Sequence, residues 1–244
     1  DGWTEWELVK VARPRFEGHA QPKVPAWGYF DESDPVWAAR EIDLAADHGI
    51  DAFIYDWYWY ESGPYLGDGL ERGFMKAPNR GRLKFAIMWA NHEWVNIHPA
   101  NFTNRPETLT RPVTPSQFDA ICDHIVSNYF TQPNYWCIDG KPYFSIYEVG
   151  QFVQNMGGWD AAVAKLDLLR SKTRAAGFPG LHLNAVVWGL KILPKELKIG
   201  EPADIVRRLG ADSSTTYAWA HHYSPGANGF PRDSYARAAA ANYE

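Results

Sequence analysis

The sequence has 244 residues, with 24 Lys and Arg against 29 Asp and Glu, a formal net charge of −5. Hydrophobic residues make up 45% and charged residues 22%, the balance of a globular chain and not of a disordered one. No apolar run approaches the roughly 18 residues of a membrane span, and a mildly acidic chain without a basic block is a poor fit to nucleic acid or to an anionic membrane surface. Aromatic content stands out: 12 Trp, 13 Tyr and 12 Phe, 15% of the chain. A core does not need that many Trp, so some are expected to line a surface or pocket for flat, partly apolar ligands.

In chain order, the first clear signal is Asp34-Pro35, an N-cap with proline at the first helical position. The helix it opens carries Ala38, Ile42, Ala45 and Ala46 on one side and stops at Gly49. An apolar strand over 50–56 follows, then another over 83–89. Thr114-Pro115 repeats the helix start, and Phe118, Ile121, Cys122, Ile125 and Tyr129 follow a helical apolar stripe. Cys122 reads as a buried thiol; with Cys137 the only other cysteine, no metal-type spacing exists. After an Asp139-Gly140 turn comes a strand over 142–147. A helix over 159–176, a strand over 181–188, a short helix over 202–209 and a strand over 214–219 complete the pattern.

Alternating strands and helices predict parallel strands with right-handed crossovers. A doubly wound sheet and a (β/α)8 TIM-type barrel are the two candidates. The nearest approach to a nucleotide fingerprint, Gly67-Asp68-Gly69-Leu70-Glu71-Arg72-Gly73, misses the required spacing and follows no strand. Polar and aromatic residues crowd the C-terminal end of nearly every strand, where barrel enzymes place their sites. The expectation is a single α/β domain of the barrel type over 1–244, truncated at both ends, with five to six of eight units present.

The clusters at the strand ends carry the candidate chemistry. They are Asp56-Trp57-Tyr58-Trp59-Tyr60-Glu61, Trp89-Ala90-Asn91-His92-Glu93-Trp94, Tyr147-Glu148, Trp188, and Tyr217-Ala218-Trp219-Ala220-His221-His222-Tyr223. Pyranose rings pack their C–H faces on aromatic rings and need Asp, Glu, Asn and His for their hydroxyls. Glycoside cleavage needs two flanking carboxyl groups. Each residue also has a structural reading. Trp57 and Trp59 share one strand face and either line a pocket or pack against helices. Asp56 either serves a site or caps the next segment, and Glu93 either serves a site or forms an ion pair. Two adjacent histidines point in different directions, so no metal is expected at His221-His222. Asn101-Phe102-Thr103 matches a glycosylation acceptor by a tripeptide that is common by chance.

Several separated segments resemble one family in the right order. They are Gly2-Trp3-Thr4-Glu5-Trp6, Gly18-His19-Ala20-Gln21-Pro22, Gly28-Tyr29-Phe30-Asp31, Leu44-Ala45 with Gly49-Ile50-Asp51-Ala52-Phe53, Trp89-Ala90-Asn91 with Trp94, and Gly140-Lys141-Pro142-Tyr143-Phe144-Ser145-Ile146-Tyr147. Together they are similar to the glycoside hydrolase family 99-like, or WbsX-type, domain. The resemblance implies a (β/α)8 barrel related to endo-α-mannosidases and action on an α-linked sugar. It also implies retention through a 1,2-anhydro-sugar intermediate: one carboxylate deprotonates the 2-hydroxyl and another protonates the leaving oxygen. The family's Asn-Glu-Trp-x-Glu-Gly motif is absent from this sequence, and His92 stands where the family's Trp-Ala-Asn-Glu pattern has Glu, with Glu93 one place later.

The expectation is therefore a carbohydrate-active enzyme domain, a glycoside hydrolase, whose main catalytic Glu pair lies outside this sequence. The 244-residue chain alone is expected to be inactive and poorly stable, because an open barrel leaves unpaired strand edges. Glu93, Glu148 and Asp56 are the candidate catalytic carboxylates. Trp57, Trp59, Trp89, Asn91, His92, Trp94, Tyr147, Trp188, Tyr217, Trp219 and His221 are the candidate substrate contacts. The expected partner is a polysaccharide or oligosaccharide, with no cofactor and no metal. A polysaccharide degrader would be secreted or periplasmic. A glycosyltransferase and a non-catalytic glycan-binding module are the alternatives.

Overall fold

The computed structural model of the protein describes residues 4–96, 108–187 and 200–217. Five parallel strands form its centre: β1 (Ala52–Tyr60), β3 (Lys84–Trp89), β5 (Lys141–Ile146), β6 (His182–Val186) and β7 (Ser213–Thr215). All five expected strands are present. The short β2 (Gly63–Tyr65) folds back antiparallel on β1, and β4 (Cys137–Ile138) folds back on β5.

The order β1-β3-β5-β6-β7 follows the chain without reversal. A doubly wound sheet reverses at a switch point; this sheet always adds its next strand on the same side, as a (β/α)8 barrel does. The sheet also curls. Four neighbour spacings of about 4.8 Å would hold β1 and β7 some 19 Å apart in a flat sheet. Yet Tyr217, two residues past β7, reaches Asp56 on β1 with its hydroxyl at 3.2 Å. Among the described residues the barrel is an open arc of five strands.

The helices start where their caps predict. Asp34 accepts from the Val36 N–H and opens α2 (Pro35–Asp47), after the short α1 (Trp6–Lys10). Thr114 and Gln117 form a reciprocal capping box at the head of α3 (Pro115–Ile125). The helical stripe Phe118, Ile121, Cys122, Ile125 and Tyr129 is wholly buried, but regular helix ends at Ile125 and a π turn over Val126–Phe130 carries Tyr129. Then come α4 (Val149–Met156), α5 (Trp159–Ala175) and α6 (Pro202–Leu209). In place of a crossover helix, β1 is followed by β2 and then by a π turn over Gly69–Gly73. Gly73 fits there because the backbone passes very close: a Cβ at that position would meet the Glu32 carbonyl oxygen at 2.1 Å.

The core lies between the sheet and the helices. Phe85, Ile87 and Trp89 of β3, Phe144 and Ile146 of β5, and Leu183 and Ala185 of β6 point that way and are buried. Both cysteines are free thiols, and Cys122 is buried as expected. No helix among the described residues is long and apolar enough to cross a membrane.

β1 corrects one expectation. It does not end at Asp56 but runs on to Tyr60, so Trp57 and Trp59 belong to the strand. Strand alternation then puts Asp56, Tyr58 and Tyr60 on the concave face and Trp57 and Trp59 on the helix face.

Candidate active site

Register builds the concave face one row at a time. Asp56 pairs with Met88, Met88 with Ser145, Ser145 with Asn184, and Asn184 with Ser213. Paired residues of parallel strands face the same way, so this row crosses the whole arc on its inner side. Its right half is a closed polar network. Asn184 donates to Ser145 Oγ at 2.8 Å and to Thr215 Oγ1 at 3.1 Å, and Ser213 Oγ donates to Asn184 Oδ1 at 2.9 Å. Asn184 and Ser145 are fully buried, so satisfying both ends of the amide is what makes their burial tolerable.

Above this floor, at the C-terminal ends of the strands, stands a wall of rings. Tyr58 meets His92 edge-on at 5.8 Å, His92 meets Tyr147 edge-on at 5.8 Å, and Tyr147 meets Tyr217 edge-on at 4.9 Å. Trp94 joins from outside, edge-on to Tyr58 at 5.6 Å and to Tyr65 at 5.5 Å. Tyr217 Oη donates to Asp56 Oδ2 and so closes the series.

The electrostatics follow from this crowding. Asp56 is open to solvent on one side, yet neighbouring atoms displace enough water to push its carboxyl above the usual range; the Tyr217 hydroxyl and nearby His92 oppose the rise. Burial pushes the Tyr58 hydroxyl up to about 12, with the charges of Asp56 and Glu5 adding to the effect. Tyr147 and Tyr217 rise from burial first and then from their anionic neighbours. All three phenols therefore stay protonated at neutral pH, as donors for an anion or a sugar oxygen.

Of the expected site residues, Asp56, His92, Trp94, Tyr147 and Tyr217 come together in this wall. Glu148 is the N-cap of α4, just past the end of β5, and Glu93 follows His92 beyond β3 with its carbonyl 3.0 Å from His92 Nδ1. Both residues therefore follow the ends of strands that neighbour β1 or its partner, on the same edge of the sheet as Asp56.

Four residues do not fit the role expected of them. Trp57 and Trp89 are only 2% and 1% exposed, so neither offers a face to a ligand. Trp57 stands on the helix side against His124 and Tyr129, and Trp89 packs on Phe118 and Phe152. Trp59 is on that helix side too, edge-on to His124 at 5.2 Å. Asn91 is buried and turned to the backbone instead. Its Nδ2 donates to the Glu148 carbonyl at 2.8 Å and its Oδ1 accepts from the Glu148 N–H at 2.7 Å. Trp188, Trp219 and His221 lie outside the described residues.

Sequence reading placed Tyr58 in a strand-end cluster without naming it a substrate contact, and it passed over Ser145 and Asn184. Ser145 and Asn184 had a signal: each is a small polar residue flanked by apolar ones inside a strand. Among the described residues no group of three or more His, Cys, Asp or Glu could hold a metal ion.

A family model described as "Glycosyltransferase WbsX" matches residues 1–217. The chain belongs to the WbsX family. Among curated proteins it is 29% identical, over 149 residues, to a protein named "Uncharacterized protein WxcX" in two strains of Xanthomonas campestris pv. campestris. That match covers 60% of this chain and 20% of the relative, so this WbsX-family chain spans only a small part of that protein's length. Among solved structures it is similar to the GH99 endo-alpha-mannosidase from Bacteroides thetaiotaomicron, with a TM-score of 0.46 and 14% identity, over 80% of this chain and 47% of the other. A structure titled "Glycoside hydrolase-like protein" matches with a TM-score of 0.45 and 18% identity, over 68% of this chain and 47% of the other.

Proposed function

We propose that this chain is the sugar-gripping part of a carbohydrate-active enzyme, and that its concave rim handles a saccharide ring beside a glycosidic bond that is cleaved. One observation carries the reading: the Asp56–Tyr217 hydrogen bond sits within a continuous wall made by Tyr58, His92, Tyr147 and Tyr217. Aromatic faces suit the C–H faces of a pyranose, while phenol, imidazole and carboxylate groups suit its hydroxyls.

Asp56 is the proton-holding group in this reading. Its carboxyl is raised by crowding, which is how an acid is kept available for proton transfer. Glycoside cleavage asks for a second carboxyl group, and Glu148 and Glu93 are the candidates on neighbouring strand ends. The substrate class is an α-linked glycan or polysaccharide, met in the secreted or periplasmic space. Sugar transfer is the second reading, favoured by the description of the family model.

The test uses the full-length protein and its Asp56→Asn variant on purified yeast mannan, dextran and pullulan. Reducing ends released by the wild type and lost in the variant support hydrolysis. Incorporation of labelled sugar from nucleotide-sugar donors without release supports transfer. Neither activity, together with no retardation in gels containing these polysaccharides, overturns both.

A further inference from the structure

Behind the rim, on the helix face of β1, lies a polar cluster that the proposed sugar site does not use. Its centre is the buried phenol of Tyr129. The hydroxyl donates to Glu71 Oε1 at 2.5 Å and accepts from Trp57 Nε1 at 3.0 Å. His124 Nε2 stands 3.4 Å from the same oxygen, and Asn128 Nδ2 faces His124 Nδ1 at 3.3 Å. One proton assignment satisfies the contacts of the phenol and of both imidazole nitrogens. Asn128 donates to Nδ1, the Nε2–H of a neutral His124 donates to Tyr129, and the phenol accepts twice and donates once. Burial holds His124 below the usual histidine range against the opposing pull of Glu71, consistent with the neutral ring.

The cluster grips the tip of β1. His124 stacks on Trp57 at 6.0 Å with 25° between the planes and meets Trp59 edge-on at 5.2 Å. Tyr129 adds an edge-on contact and the hydrogen bond to Trp57. On a strand, side chains alternate between faces. Holding Trp57 and Trp59 from behind therefore fixes Asp56, Tyr58 and Tyr60 in front. Phenylalanine would fill the same space, so a buried hydroxyl with three partners points to a job beyond packing.

We propose that Tyr129, oriented by Glu71, is a positioning residue that acts through Trp57 to set where Asp56 and Tyr58 stand on the rim. The inference rests on the sugar-site reading only for the use to which Asp56 is put. Its test involves no sugar.

The experiment follows the Asp56 carboxyl by carbon NMR during pH titration of the full-length protein labelled at aspartate, with Asp56→Asn identifying the signal. Tyr129→Phe keeps the ring and loses the hydrogen bonds. Glu71→Gln keeps an oxygen acceptor for the phenol, and Glu71→Ala loses it. Neither Glu71 variant carries a charge, so the difference between them isolates the hydrogen bond. The Asp56 midpoint is expected to move by about half a pH unit, roughly threefold in acid dissociation, in Tyr129→Phe and Glu71→Ala. Glu71→Gln is expected to titrate like the wild type. If Tyr129→Phe does not fold, the Glu71 pair decides alone. Equal Asp56 midpoints in Glu71→Gln and Glu71→Ala overturn the proposal, even where melting temperatures differ. A sugar-site failure would appear in the polysaccharide assays and leave this titration untouched.

Discussion

The Asn91 side chain and the Glu148 backbone exchange two hydrogen bonds, one in each direction, at 2.8 and 2.7 Å. The amide acts as one more residue of strand pairing, carrying the β3–β5 ladder past its last backbone bond, from the Tyr147 N–H to the Trp89 carbonyl. It ties the two strand ends that bear His92 and Glu148. Asn91→Ala is expected to take away the acceptor of the Glu148 N–H, while the Glu148 carbonyl keeps the Phe152 N–H, and to cost about 1–3 kcal/mol. Asn91→Asp keeps the acceptor but turns a carboxylate oxygen toward the Glu148 carbonyl, so it should fall between the wild type and Asn91→Ala at low pH and below Asn91→Ala at neutral pH. Urea unfolding at two pH values checks the order.

The sequence made the strands and caps legible because each rests on a local rule. Apolar runs of strand length, Asp34-Pro35 and Thr114-Pro115 need no tertiary information. Which face of β1 looks inward did need it. Period two groups Trp57 with Trp59 and Asp56 with Tyr58, but only the packing of α3 against one side says which group is buried. Asn91 misled for a related reason: an amide at a strand end next to aromatics suits a sugar hydroxyl and a backbone clamp equally well. The π turns at Gly69–Gly73 and Val126–Phe130 had no signal in the pattern, and the Tyr129 cluster depends on both. Tyr217 meeting Asp56 across 161 residues follows from the curl of the sheet, which pairing rules alone do not specify.

Between β3 and β5 a tyrosine stands in for missing strand pairing. Tyr135 Oη accepts from the Ile87 N–H at 3.3 Å and donates to the Tyr143 carbonyl at 2.7 Å. Tyr135 is buried, and burial raises its phenol well above the usual range. Tyr135→Phe removes a donor and an acceptor at once and strands two backbone groups in the core. A loss of about 1–3 kcal/mol is expected in chemical denaturation at neutral pH, and it should narrow above about pH 10, where the wild-type phenol ionises in the unfolded chain but not in the folded one.

The two thiols should behave differently. Burial pushes the Cys122 thiol up to about 12, with Asp119 adding to the rise and Lys172 opposing it. Cys137 is only half-buried and shifts less, its rise from burial countered by Lys84. The thiolate is the reactive form, so iodoacetamide at neutral pH is expected to label Cys137 in the native chain. Cys122 should react only as α3 opens. Mass spectrometry of the labelled peptides over time, with and without urea, reads the order directly. Early labelling of Cys122 in the native chain would mean that α3 is not seated on the sheet.

The pH dependence of stability tests the surroundings of Asp56. Its folded carboxyl binds a proton at higher pH than it does in the unfolded chain. Between those two values the folded state carries more protons, so stability falls as pH rises through the window and then levels off. Asp56→Asn removes that penalty. The variant should therefore melt above the wild type at neutral pH, and the gap should close below about pH 4, where the carboxyl is protonated in both states. Tyr217→Phe works in the opposite sense. It deletes the hydrogen bond that favours the carboxylate, so Asp56 rises further and the window widens upward. Thermal melts of the three proteins from acidic to neutral pH separate these outcomes. A wild type that melts above Asp56→Asn at neutral pH, with that advantage lost as pH falls, would mean that the carboxylate is stabilised in the fold, and Asp56 could not then be the proton-holding group of the rim.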